Sequence, residues 1–230
     1  MRPSSPLRLA LRTVAVASFA LALGCASAPR DRGAEAQRLV ERARTTFGRF
    51  VADPDMKAFR ATLADAKGVL VVPEVNKGGF IFAGSGGVGV LVARDAKRGD
   101  WAGPAFYTVG SASVGLQAGG STSEVILLVM TQKALDALLV TSTKLGGEVS
   151  AAAGPIGTGT GEVGVDVVSY ARSKGLFVGL SLTGSVIRPS EERNEAFYGR
   201  KLSPLDVLVR REGDAAGAAP LLADIADATR

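Results

Sequence analysis

The side chains that carry most protein chemistry are scarce in this sequence. It holds no histidine and a single cysteine, Cys25. The missing histidine removes Ser-His-Asp and Cys-His relays, and with one cysteine the usual zinc sites go too. Carboxylates and cations remain. Asp166, Glu191, Glu192 and Glu195 are the available acids. The three glutamates fall in one predicted helix after Pro189, where negative charge complements the helix dipole and needs no catalytic explanation. "SYARSKG", residues 169 to 175, supplies hydroxyls and an amine but no Ser-x-x-Lys spacing. "GSGGVG", Gly84 to Gly89, fits G-x-G-x-x-G in form. A dinucleotide site needs a helix straight after those glycines, and "VLVARD" reads as a strand. The expectation is a protein that is not an enzyme and uses no cofactor and no metal. Recognition is the chemistry left. Arg172 and Lys174 are expected on one strand face, meeting either an anionic headgroup or solvent. "GPIGTGTGEVG", residues 154 to 164, is either a backbone nest for phosphate or a plain surface hairpin.

The elements that must position these residues are a block of strands between helices. Leu39, Val40, Ala43, Phe47, Phe50 and Val51 recur at three- and four-residue steps, with Arg38, Arg42 and Arg49 beside or across from the stripe. Such a helix either docks on its own domain or lies on a bilayer. "DPDMKAFRATLADA" is a second helix, with Asp53 or Asp55 as cap and Pro54 in its first turn. From Ala66 the pattern changes. "GVLVVPEV" and "EVILLVM" have the short, β-branched composition of strands buried on both faces. "GGFIFAGSGGVGVLVARD" alternates, with Phe80, Phe82, Val88, Val90 and Val92 on one face and Ser85, Gly87 and Gly89 on the other. In "YARSKGLFVGLSLTGS" Leu176, Val178, Leu180, Leu182 and Val186 are expected along one strand face. Glycine inside strands marks bulges, bends or close backbone approach, and several such strands together imply strong coiling. "TQKALDALLVT", "PSEERNEAFYG", "SPLDVLV" and "APLLADIADAT" complete the helices. The expected class is α+β: a strongly coiled, glycine-rich antiparallel β-sheet, barrel-like or sandwich-like, with N-terminal and C-terminal helices.

Residues 1–24 join a basic stretch with Arg2, Arg8 and Arg12 to the twelve-residue apolar run "TVAVASFALALG". That is the grammar of an export signal, and the run is shorter than the roughly 20 apolar residues of a membrane span. Without those arginines the formal charge falls from +5 to +2, so bulk charge gives no support for nucleic-acid binding. Cys25 follows Ala22-Leu23-Gly24 in an arrangement that resembles a bacterial lipobox, departing from it at Ala22, where leucine is usual. The resemblance implies a diacylglycerol on the thiol and an outer-membrane anchor. An ordinary secretory signal is the alternative. Residues 25–33 then form a lipidated tether, and residues 34–230 a single domain.

"KGGFIFAGSGGVGVLVARD", "WAGPAFYTVGSASVGLQAGG", "SEVILLVMTQKALDALL", "KLGGEVSAAAGPIGTG", "VVSYARSKGLFVGLSLTGSVI" and "NEAFYG" occur in this order. Together they resemble the SYLF domain, over about residues 60–210. The resemblance implies a lipid-binding domain of bacterial lipoproteins and of eukaryotic membrane-trafficking proteins, some of which bind actin. For an exported bacterial member it implies anionic phospholipid rather than phosphoinositide as the partner. It places lipid contacts at Arg172, Lys174 and Lys77, and more weakly at Arg42, Phe47 and Arg49 of the first helix. The location implied is the periplasmic face of the outer membrane. The competing expectation is a structural or protein-interaction module of the cell envelope, with the anchor as its only membrane attachment.

Overall fold

The valine-rich runs form the centre of the molecule. In the computed structural model four long strands, Gly68–Gly79 (β1), Phe82–Arg94 (β2), Trp101–Val114 (β3) and Gly119–Val129 (β4), lie beside one another. Thr143–Lys144 (β5), Ala151–Ala153 (β6), Val167–Ser173 (β7), Leu176–Val178 (β8) and Val186–Pro189 (β9) extend the sheet. The order is β5-β9-β3-β2-β1-β4-β7-β6, with β8 also paired to β7. All pairs are antiparallel except β6 with β7. The sheet is strongly curled, a half-barrel, and the class is α+β as the strand and helix patterns require.

The structure describes residues 31–79, 82–114, 119–140, 142–147, 149–155, 164–178 and 182–230. The signal at 1–24, Cys25, most of the tether, Phe80 and most of the 154–164 loop therefore lie outside the described residues. Leu180 does as well.

Helices cover both faces. On one lie Arg32–Ala52 (α1), Lys57–Ala64 (α2) and Ala219–Ala228 (α6), packed over Val69, Val71, Val90, Val92, Ile126 and Leu128. On the other, Gln132–Val140 (α3) and Pro204–Leu208 (α5) pack over Leu70, Val72, Leu91, Leu127 and Val129. Neighbouring residues of β1 thus face different cores, which is why that strand reads as a continuous apolar run. Glu191–Tyr198 (α4) sits against β3, where fully buried Asn194 joins the sheet. Its Oδ1 accepts from Phe106 N at 3.0 Å and its Nδ2 donates to Phe106 O at 3.5 Å.

Local chemistry sets the ends and bends. Asp53 Oδ1 accepts from Asp55 N ahead of Pro54, and Ser203 and Asp206 form a reciprocal capping box at α5. Pro73 falls where the register of β1 shifts against both neighbours. Proline cannot donate to a ladder, so a central strand accommodates it at a bulge. Across that bulge, a Cβ on Gly87 would lie 2.4 Å from Glu74 O, and one on Gly89 would lie 2.7 Å from Val71 O. Those two glycines let β2 close on the bulge.

"YARSKGLFVGLSLTGS" is not one strand, contrary to the alternation. β7 ends at Ser173, Lys174 and Gly175 take positive φ values of 49° and 80°, and β8 starts at Leu176. A second turn includes Gly184 at φ 86° before β9. The backbone reverses at Gly175 instead of running on, so period-2 alternation overran two turns.

Candidate functional site

Arg172 and Lys174 do not form the co-facial pair that an uninterrupted strand would give. Arg172 lies within β7, where its guanidinium stacks 5.7 Å from the Phe177 ring and stands 3.7 Å from Glu124 Oε2. Its Nε donates to Gly175 O at 3.3 Å. Its work is to hold the β7–β8 hairpin shut. Lys174 occupies the turn itself, exposed and without a partner among the described residues.

The first helix is occupied as well. Phe47 is 1% exposed and packs edge-on against Phe59, with ring centroids 6.4 Å apart. Phe50 is fully buried between Phe59 and Phe177, at 5.7 and 5.2 Å. Phe47 is therefore a core residue here, and its stripe faces the sheet. Arg49 pairs with Glu124, and Arg42 Nη1 lies 3.6 Å from Glu74 Oε2. Glu124, 19% exposed on its side chain, also accepts from Thr46 Oγ1 at 3.2 Å, so one carboxylate ties α1 to β4 and β7.

Lys77 is different. It is exposed, makes no ion pair or hydrogen bond among the described residues, and sits on the sheet face opposite α1. Directly across from it stand Ser85 on β2 and Ser121 on β4. Ser111, opposite Ser85, shares a hydroxyl hydrogen bond with it at 2.7 Å. The result is a row of three hydroxyls around one ammonium, a polar surface able to donate to an anion.

The six nominated residues thus divide. Arg42, Phe47, Arg49 and Arg172 are engaged on the α1 side of the sheet. Lys77 and Lys174 have no ion pair or hydrogen bond among the described residues. β1 and β7 both run antiparallel to β4, so their C-terminal ends point the same way. Lys77 faces Ser121 and Ser173 faces Ser123 on the intervening strand. One skipped strand and two residues of offset put the Lys77 and Ser173 backbones about 12 Å apart. The two free lysines share one end of the sheet.

The other candidate chemistry resolves into structure. Gly84 to Gly89 lies inside β2, with no helix at its end. Glu191 and Glu192 occupy the first turn of α4, as a helix dipole favours. Asp166 accepts from Thr131 Oγ1 at 2.6 Å and from Ser150 N and Oγ, both at 2.9 Å. These bonds, the Thr131 hydroxyl foremost, hold its carboxyl down at about 2. It is a latch between α3, β6 and β7.

Leu176 is the residue that sequence reasoning missed. It follows the Lys174-Gly175 turn with 72% of its surface exposed. The signal available was Lys-Gly ahead of an apolar residue, the mark of a tight turn.

A family profile described as "Ysc84: Las17-binding protein actin regulator" matches residues 110–228. Protein YSC84 of Saccharomyces cerevisiae is 36% identical over 169 residues, covering 70% of this chain and 36% of that protein. LAS seventeen-binding protein 3, also from Saccharomyces cerevisiae, is 37% identical over 146 residues, 60% of this chain and 31% of that protein. SH3 domain-containing YSC84-like protein 1 of Homo sapiens is 31% identical over 161 residues, 67% of this chain and 46% of that protein. The chain spans about a third of the length of the yeast relatives it matches.

Proposed function

The chain belongs to the Ysc84 family, whose shared unit is the SYLF domain, and from that membership we propose a non-enzymatic domain that binds anionic phospholipid surfaces. One observation carries the reading. Of the cations nominated for lipid contact, two are unpaired among the described residues, and both lie in the glycine-rich half of the sheet. A paired arginine gives up its carboxylate before it can meet a phosphate; Lys77 and Lys174 meet one directly. In the cell the domain is held at the periplasmic face of the outer membrane by acylated Cys25, so it works at a bilayer whether or not its own affinity is high. Tethering makes weak contacts effective, since it raises local concentration.

Vesicle flotation of residues 32–230, which contain both cores, tests this. Vesicles with phosphatidylglycerol are expected to carry the domain up at 0.1 M salt and release it at 1 M, where the screening length drops to about 3 Å. Neutral vesicles are expected to leave it behind. Equal behaviour on both vesicle types would refute the reading.

The relatives' printed names favour a second reading. One is called a LAS seventeen-binding protein, and the family description names an actin regulator. In that case the domain is a protein-interaction module of the cell envelope, attached to membrane by its anchor alone. A stoichiometric partner recovered on residues 32–230, with no flotation, is the result that selects it.

A further inference from the structure

Leucine with nearly three quarters of its surface in water, on a turn held shut from below, calls for an explanation. Leu176 has that exposure, and side chains hold the hairpin beneath it: Phe177 packs edge-on to Phe50 at 5.2 Å, and Arg172 reaches back to Gly175 O. Lys174, free and exposed, precedes it by two residues. Lys77 lies in the same glycine-rich half of the sheet across β4, its backbone about 12 Å from that of Ser173. An apolar side chain flanked by unpaired cations is complementary to a bilayer surface, with hydrocarbon below a layer of anionic phosphate. A water-soluble protein partner would need an apolar pocket ringed by acids to match it.

We propose that the domain docks through its β7–β8 turn, inserting Leu176 below the headgroups while Lys174 and Lys77 contact phosphates beside it. The inference rests on the lipid-binding reading above and adds to it an orientation and an inserted residue. It leaves α1 on its core, away from hydrocarbon. The three hydroxyls beside Lys77 face the same headgroup layer and donate to phosphate oxygens.

The test places a reporter at the tip. Trp101, the chain's single tryptophan, is 6% exposed, so it adds a constant background. Leu176→Trp in the full chain is mixed with phosphatidylglycerol vesicles containing brominated phosphatidylcholine, which quenches only tryptophan within the acyl region. Val140→Trp, at a residue 75% exposed on α3, is the comparison. Strong quenching at 176 with none at 140 is expected. The full chain carries the apolar run 13–24, so sedimentation alone cannot decide the matter, whereas the reporter reads position 176 itself. Vesicle-bound Leu176→Trp protein whose indole at 176 stays unquenched overturns the insertion and leaves the lipid-binding reading standing; the exposed turn would then be a protein-facing surface. Absence of any anion-dependent binding overturns both. As a second measurement, Lys77→Gln with Lys174→Gln is expected to lower the anion-dependent partition about 30-fold, taking the usual contribution of a lysine near an acidic surface. Soluble glycerol phosphate, matched in concentration to the vesicle headgroups, separates membrane docking from capture of a free phosphate: vesicle binding is expected to stay intact, and competition would overturn insertion as the source of affinity.

Discussion

At Gly87 and Gly89 a methyl group would meet carbonyl oxygens of β1 at 2.4 and 2.7 Å, whereas at Gly84 and Gly86 it would find nothing nearer than 3.8 Å. The same residue type in the same strand therefore does two different things. Gly89→Ala must push the backbone of β1 or β2 aside and is expected to cost about 1–3 kcal/mol, the range for overpacking. Gly86→Ala is expected to be neutral or slightly stabilising, by up to about 1 kcal/mol, because it restricts the unfolded chain. Thermal unfolding of the two variants checks the contrast. Asn194→Ala removes the acceptor of Phe106 N in a fully buried place, while Phe106 O keeps Ser190 N at 2.8 Å, and should destabilise by about 1–3 kcal/mol in the same assay. Alternation in the sequence correctly put Gly87 and Gly89 opposite Val88 and Val90. It gave no means of telling a glycine pressed against a bulge from one facing open space, since that depends on where the neighbouring strand bends.

Among the elements, α1 shows what periodicity conveys and what it omits. The stripe Leu39, Val40, Ala43, Phe47, Phe50 is buried as its spacing requires. Spacing does not say against what, because a sheet and a bilayer ask for the same stripe. The sheet wins on magnitude: burial of Leu39, Val40, Phe47 and Phe50 is worth roughly 6–12 kcal/mol, and undocking would also bare the valines beneath. Phe50→Ala is expected to cost about 3–5 kcal/mol. Arg42→Ala, which breaks only an exposed pair, should stay within about 1 kcal/mol. Amide protection in α1 is expected to be unchanged by anionic vesicles in hydrogen exchange, and loss of protection there would mean that the helix leaves the core. The Asp166 latch sets a pH limit. Its carboxyl titrates near 2 when folded, below its ordinary value of 3.8, so the charged form is the one the fold favours. The stabilisation is complete above about pH 4 and is lost as pH falls towards 2. Asp166→Asn should flatten the acid side of a melting-temperature profile between pH 5 and 2.5.

For the whole molecule, the sheet divides lengthwise. One half is clamped between helices, and the other carries Gly78, Gly84, Gly86, Gly120 and Ser121 to the surface. The strand block, the flanking helices and the curl were all legible, because two-sided burial leaves unbroken valine runs and bends demand glycine. The distribution of cations was not. Which arginine finds a glutamate depends on register across β4, and the turn at Lys174 was hidden in a sequence that alternates straight through it. Lys174-Gly175 now has a consequence of its own. Two residues with positive φ between paired strands suit Asn-Gly best, and a lysine there is strained. Lys174→Asn is expected to raise the melting temperature by a few degrees while weakening attachment to anionic vesicles. If both occur, natural selection has kept a poorer turn for the sake of its charge, and a search for stabilising substitutions in this protein would drift, one improvement at a time, away from what the protein is for.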